Sequence, residues 1–225
     1  MGYRWGMQNP AIDLPDIVEA YSGASLLQRI MVRYRPNICP PGPFYVHIPN
    51  GSSVLDVGCG MGAHLITLSA MRKISSGYGV DVSSKAIERA KIAAENYPQS
   101  NLSFDTMRSV EEIPKILFDV VMMIDVMHHV PLKLRKGIFV ACIDRVRAGG
   151  IFIYKDMADR PLFNALANRA HDLIIAREMI NYLPLETALE WSQSEKLELI
   201  DRAEYKKLVY AHELLVFRKP QLSNA

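Results

Sequence analysis

Two carboxylates bracket three glycines between Asp56 and Asp81, and their spacing could do chemistry. Gly58, Gly60 and Gly62 alternate with Cys59 and Met61 directly after the apolar run SSVLDV, Ser52 to Val57. Glycine is poor material for a strand or a helix interior, so the run gives up local stability. It gains a backbone that a ligand can approach closely. The helix expected to begin near Gly62 also aims free N–H groups at any anion in front of it. Asp56 stands two residues before Gly58 in an otherwise apolar stretch, where a carboxylate is costly without a partner. Asp81 ends the next apolar run, GYGVDV, where a carboxylate can accept two ribose hydroxyls.

Two nucleoside ligands compete for such a site. A dinucleotide calls for Gly-x-Gly-x-x-Gly, so that its pyrophosphate meets the helix. Here the third glycine comes one residue sooner, and Asp56 would sit poorly beside a pyrophosphate. S-adenosylmethionine carries no phosphate; it offers a cationic amino group and sulfonium, one carboxylate and a ribose diol. Asp56 near the cation, the loop amides near the carboxylate and Asp81 on the diol suit it better.

These residues need a frame to hold them. SSVLDV, GYGVDV, NLSFDT, FDVVMMID and GIFIYKDM read as strands. They alternate with helical stretches that include AHLITLSAMRK, SKAIERAKIAAENY and LKLRKGIFVACIDRVRA, the last expected to stop at Gly149-Gly150. FDVVMMID is apolar on both faces, as a central parallel strand requires. Regular alternation predicts an α/β fold with a parallel sheet covered on both sides. PLFNALANRAHDLIIAREMINY, from Pro161 to Tyr182, and ETALEWSQSEK read as further helices. LELIDRAEYKKLVY and HELLVFRK read as a closing antiparallel pair. The first fifty residues differ: one or two amphipathic helices precede a proline-rich window, RPNICPPGPFYVHIPNG, expected to be an extended connector. The expected division is an N-terminal helical cap over residues 1–50 and a ligand-binding domain over 51–220.

The segments VLDVGCGMG, GYGVDVS, FDVVMMIDVMHHVP and RAGGIFIYKDM resemble, in order, the successive motifs of class I S-adenosylmethionine-dependent methyltransferases. DVMHHVP is similar to the small-molecule branch that includes ubiquinone and menaquinone-type enzymes. The resemblance covers roughly Ser52 to Met157. It implies a Rossmann-like seven-stranded sheet of order 3-2-1-4-5-7-6 with strand 7 antiparallel, flanked by helices, with the N-terminal residues as a cap over the substrate. It also implies S-adenosyl-L-methionine as cofactor, S-adenosyl-L-homocysteine as product, and a cofactor site formed by Asp56, Gly58, Cys59, Gly60, Gly62, Asp81, Val82, Asp125 and Val126. Family members often place an acidic residue after the third strand to read the adenine amino group. Here Asp105 comes too early and Arg108 stands near that slot, so backbone groups around Met107 and Arg108 are expected to hold the base.

Methyl transfer is an in-line displacement at an already activated carbon, so the protein must chiefly align the acceptor and, for a hydroxyl, help remove its proton. His129 and His171 are the candidate bases. His128, Lys155, Asp156 and Asp172 are candidate substrate contacts, although ion pairing at strand ends and cofactor-pocket shaping would explain several of them equally well. Tyr34, Arg35 and Cys39 could close over the cofactor. Cys59 needs only to be small, and no thiol chemistry is assigned to it.

Composition narrows the function class. The chain has 225 residues, 49% of them hydrophobic and 22% charged, as in an ordinary globular protein. Its formal net charge of +2 and the lack of a basic tract give no drive toward nucleic acid. Three widely spaced cysteines, Cys39, Cys59 and Cys142, form no ligand pattern, so no metal site is expected and a reducing cytoplasm is the expected setting. No apolar run is long enough to span a bilayer. The expected function is methylation of a small molecule, on an oxygen atom. A macromolecular acceptor and a non-catalytic nucleoside-binding relative are the alternatives, and oligomeric state is left open.

Overall fold

The computed structural model describes residues 4–5, 12–157, 182–207 and 210–221. Strands are numbered along the chain: β1 Arg4–Trp5, β2 Ser52–Val57, β3 Ile74–Asp81, β4 Asn101–Thr106, β5 Phe118–Ile124, β6 Val146–Met157, β7 Glu198–Lys207 and β8 Tyr210–Arg218. The helices are α1 Leu26–Ile38, α2 Gly42–Tyr45, α3 Ala63–Ala70, α4 Ser84–Ala94, α5 Leu132–Asp144 and α6 Leu185–Ser194.

The sheet runs β1-β7-β8-β6-β5-β2-β3-β4. Counted from β2 as the first strand, its seven long strands take the expected order 3-2-1-4-5-7-6. β8 is antiparallel to both β6 and β7, and the remaining pairs are parallel. The two-residue β1 adds an eighth strand beside β7, which its sequence did not signal. From β2 the chain winds outward through β3 and β4, then returns to lay β5 and β6 on the other side. The carboxyl ends of β2 and β5 therefore border a topological switch point, where open α/β sheets receive ligands.

Burial explains the sheet's position. Val54, Met122 and Ile153 face one apolar layer, while Leu55, Val121, Met123 and Phe152 face the other. β5 is thus covered on both sides, as its continuous apolar run requires. A third cluster docks the N-terminal region onto the domain: Ile17, Val18, Tyr21 and Val32 pack with Ile66 of α3 and Ala93 of α4. The Tyr21 hydroxyl donates to the Met61 carbonyl at 2.9 Å, fastening this region to the glycine loop.

Two expectations about element boundaries need correction. About half of the proline-rich window is helical rather than extended. α1, started by a Ser25–Gln28 capping box, continues through Pro36 and closes with Cys39 N–H donating to the Arg35 carbonyl at 2.7 Å. Pro43 stands in the first turn of α2, where a missing N–H costs nothing, and burial of Phe44, Tyr45 and Ile48 holds that turn on the core. The second correction concerns α5, which ends at Asp144, before the glycine pair. Val146 is fully buried and pairs with Phe118, so Gly149 and Gly150 lie inside β6.

Gly62, at φ +77°, starts α3, and a Cβ there would stand 2.7 Å from the Phe104 ring. Gly60, at φ +54°, would meet nothing within 4 Å. Thermal melts of the ligand-free chain should separate the two positions. Gly60→Ala is expected to cost about 1 kcal/mol, from backbone strain alone. Gly62→Ala adds a clash with a packed ring and should cost roughly 3 kcal/mol.

Candidate active site

The glycine loop is closed by its neighbours. The amides of Gly58 and Cys59 both donate to the Val80 carbonyl, at 2.7 and 3.0 Å, and Gly62 N–H donates to the Cys59 carbonyl at 2.9 Å. Gly60 N–H donates to Asp81 Oδ2 at 2.8 Å, while Asp81 Oδ1 accepts from Ser83 N–H at 2.8 Å. Asp81 thus ties the loop to the end of β3 and keeps lone pairs for further donors. Gly58 allows a second close approach, because a Cβ there would fall 2.3 Å from Val126 Cγ2. These bonds correct the expectation that the loop amides face a carboxylate. Four of the five are spent inside the chain. The free donors come from the first turn of α3, Ala63 to Leu65, which have no intrahelical carbonyl to reach and no side-chain cap.

Beneath the loop, Asp56 is 1% exposed, and its Oδ2 has no hydrogen-bond partner among the described residues. Burial pushes its carboxyl up to about 7, with Arg35 opposing the rise and Asp81 adding to it. Asp125, just past the end of β5, has the opposite fate. Its burial would raise it too, but Lys155 and then Arg35 hold it well below the usual carboxylate range. Lys155 of β6 is fully buried and donates from Nζ to Asp125 Oδ1, and Asp125 N–H donates to the Lys155 carbonyl at 2.9 Å. Asp125 adopts φ +58°, a left-handed conformation that costs a non-glycine residue energy.

The N-terminal region covers this charge cluster. Arg35 Nη2 of α1 lies 3.9 Å from Asp125 Oδ2, and burial beside Asp125 pushes the Cys39 thiol up to about 11. Tyr34, the third residue expected there, is exposed on the outer face of α1. A cleft of about 230 Å³ runs between the 14–18 segment, α1 and α3, with Tyr45 and His64 in its wall.

The other expected residues divide into groups. Val82 is exposed beside Asp81, where it can cover a bound base. Met107 is buried and donates its N–H to the Asp81 carbonyl at 2.9 Å. Arg108 is exposed, with its N–H donating to Glu112 Oε2 at 2.7 Å. Asp105 accepts from the Tyr78 hydroxyl and pairs with Lys91 on the surface. His128 and Asp156, expected to face substrate, are buried and bonded to each other through Nδ1 and Oδ1, so their first role is to brace the turn after β5. His129 is exposed, its ring 4.1 Å from that of His128. His171 and Asp172 lie outside the described residues. Sequence reasoning missed His64 and Tyr45. A histidine two residues past the last glycine was the available signal.

A family model described as a methyltransferase domain matches residues 48–198, about two thirds of the chain. The chain belongs to this methyltransferase-domain family. By family and fold it is an S-adenosylmethionine-dependent methyltransferase domain. It is 35% identical over 108 residues to the mitochondrial ubiquinone biosynthesis O-methyltransferase of Candida albicans, a match covering 46% of this chain and 32% of that protein. The chain therefore spans about a third of the length of the curated relative it matches. Its fold is similar to an S-adenosylmethionine-dependent methyltransferase of Methanosarcina mazei, at TM-score 0.64 and 18% identity, covering 80% of this chain and 98% of the other. It is also similar to the magnesium protoporphyrin IX methyltransferase of Synechocystis with bound S-adenosylhomocysteine, at TM-score 0.65 and 17% identity, covering 87% and 88%.

The methyltransferase domain fits such a cofactor on its own geometry. A buried carboxylate oxygen awaits a cationic donor, the uncapped start of α3 awaits an acceptor, and Asp81 can take further donors. Among the described residues, no group of three His, Cys, Asp or Glu side chains could hold a metal ion, and no helix is long and apolar enough to cross a membrane.

The raised Asp56 carboxyl has a consequence for stability. Between the ordinary carboxyl value of about 4 and 7, the folded chain keeps a proton that the unfolded chain has lost, so this residue's contribution falls as pH rises through that window. In ligand-free melts, Asp56→Asn should match the wild type near pH ~4 and exceed it by roughly several degrees near pH ~8. Equal melting temperatures at the higher pH would refute an unpartnered buried carboxylate.

Proposed function

We propose that this chain methylates a small molecule on an oxygen atom, with S-adenosylmethionine as donor. The observation that supports this most is the unpartnered Asp56 oxygen beneath the glycine loop, because a cationic, phosphate-free nucleoside answers it. When bound, S-adenosylmethionine supplies an electrophilic methyl group on a sulfonium sulfur. In this reading Asp56 takes the amino group, and Gly58, Cys59, Gly60 and Gly62 let the ligand lie against the backbone. Asp81 takes the ribose hydroxyls. Val82, Met107 and the backbone at Arg108 enclose the adenine. Asp125 and Val126 border the methionine end.

Residues 1–50 act as the cap and 51–220 as the catalytic domain. The acceptor enters under the cap, where Lys155 fixes the Asp125 carboxylate and the His128–Asp156 pair fixes the turn that carries His129. A hydroxyl acceptor must lose its proton as its oxygen gains the methyl group, and we assign that proton to His129. Orientation supplies most of the rate, since the transferred carbon is already activated. The relative in Candida albicans is named as an O-methyltransferase, which supports oxygen as the target. The three free, buried cysteines support a reducing, cytoplasmic setting.

Calorimetry tests the reading directly. S-adenosylmethionine and S-adenosylhomocysteine should bind the folded chain and NAD should not. Asp81→Ala should weaken S-adenosylhomocysteine by roughly tenfold or more, the loss of charge-assisted hydrogen bonds. With an identified acceptor, His129→Ala should lower turnover by about a hundredfold while changing cofactor affinity little. Full turnover in that variant would leave orientation alone as the source of rate.

A further inference from the structure

A surface helix ordinarily turns its apolar stripe toward the core and its charges toward water. α1 does the reverse. Leu26, Leu27, Ile30, Met31, Tyr34 and Ile38 are between 36% and 72% exposed. They recur at i, i+4 and i+8 from Leu26 and at i, i+4 and i+11 from Leu27, which sets them in one stripe along the helix. Val32, the one buried residue within α1, lies on the opposite side and anchors the helix beside Ile66 and Ala93. Exposed apolar side chains are normal when scattered singly; a continuous stripe of them marks a surface made to be covered.

Charge selects what covers it. Arg29 and Arg33, one turn apart, run along one border of the stripe, and Arg35 stands at the other. No acidic residue falls between Ser25 and Cys39. A second copy of the chain meeting this face about a two-fold axis would set arginines against arginines, with no counter-charge on the helix. Six side chains on one helix also fall short of the ~20 residues that each partner gives a standard protein interface. A bilayer surface makes neither demand. It takes up a single convex helix face, and its anionic headgroups answer the arginines, whose stems lie along the stripe while their guanidiniums stay in the headgroup layer. Tyr34 suits the same boundary, with an apolar ring and a polar hydroxyl. At 13 residues α1 is too short to cross a bilayer, which takes ~20, so it would lie in the interface.

We propose that the outward face of α1 docks this chain on the surface of an anionic bilayer. Docking of this kind is independent of the reaction catalysed. The same helix brings Arg35 to 3.9 Å from Asp125, so a docked chain holds its candidate site just behind the bilayer surface. In the proposed function, an acceptor dissolved in the bilayer then reaches that site with little passage through water.

Co-sedimentation of the full chain with vesicles tests this. One set is phosphatidylcholine alone, and the other is an equal mixture of phosphatidylcholine and phosphatidylglycerol. Wild type should bind the mixed vesicles roughly tenfold or more tightly than the neutral ones, and high salt should remove most of that difference. Leu27→Glu combined with Met31→Glu should weaken binding to the mixed vesicles by about a hundredfold. Arg33→Gln should weaken it about fivefold and leave the neutral vesicles unaffected. All three positions are exposed, so melting temperatures should stay near that of the wild type. Where the glutamates disturb the helix, Ile30→Ser combined with Tyr34→Ser adds no charge and should still weaken binding roughly tenfold. A wild type that stays in the supernatant with both vesicle types overturns the proposal, as does a folded double variant that binds like the wild type. Equal binding to neutral and mixed vesicles overturns the choice of an anionic surface. Sedimentation velocity without lipid covers the other occupant: a dimer that the double variant dissolves assigns this face to a second copy and overturns the proposal.

Discussion

The contact between Asp125 and Lys155 holds the site together. Lys155 is fully buried at the end of β6, and an ammonium there is intolerable without a counter-charge. Asp125 provides that charge from the adjacent strand end and, in doing so, accepts a left-handed backbone conformation. That conformation directs the following turn, in which Val126 fills the space against Gly58 and the His128–Asp156 pair closes the base. Arg35 of α1 approaches the same carboxylate from above. One buried ion pair thus sets the geometry of β5, β6, the glycine loop and the cap together.

Two carboxylates a few residues from the same switch point are treated in opposite ways. Asp125 has a buried lysine and an arginine, and stays ionised. Asp56 has only a share of Arg35, and its burial drives it toward the neutral form. The two differ in partners as well as in depth: Asp56 is 1% exposed and has part of one cation, whereas the Asp125 side chain is 14% exposed and has two. A group left short of partners in the free protein is a group kept for something else. The satisfied carboxylate builds the frame, and in the proposed function the unsatisfied one receives the cofactor's amine.

Much of the frame was legible from the sequence because it rests on periodicity and on glycine. The doubly apolar run Val120–Met123 could only be a central strand, and the Gly58–Gly62 spacing fixed both the turn and the class of ligand. Element ends were less legible. Pro36 marks a helix end by local rules, yet α1 passes through it because Val32 and Cys39 are anchored on the core. The Gly149-Gly150 pair looks like a helix stop, yet the buried Val146 recruits that stretch into β6. The site itself was half legible. Asp56 and Asp81 announce themselves by position, whereas His64 acquires meaning only when Tyr45, nineteen residues earlier, folds against it. Likewise Lys155, Asp156 and His128 read from the sequence as substrate contacts or as paired groups equally well, and the fold shows that they pair with one another or with Asp125.

The loop amides carry the last step. A glycine-rich turn before a helix is usually read as a cradle of N–H donors, and a cradle would bind any anion. Here the turn is stapled shut by Val80, Cys59 and Asp81, so it contributes closeness and not charge. The donors that remain belong to the start of α3. In the proposed function, selectivity for an amino-acid tail over a phosphate follows from what surrounds those donors. In that reading a polyanion gains nothing from Asp56 in either protonation state, while the ammonium of a zwitterionic tail gives the buried carboxylate the partner it lacks. The site is therefore costly when empty and electrostatically balanced when filled, and ligand binding should stabilise this domain by more than its contact area alone would indicate.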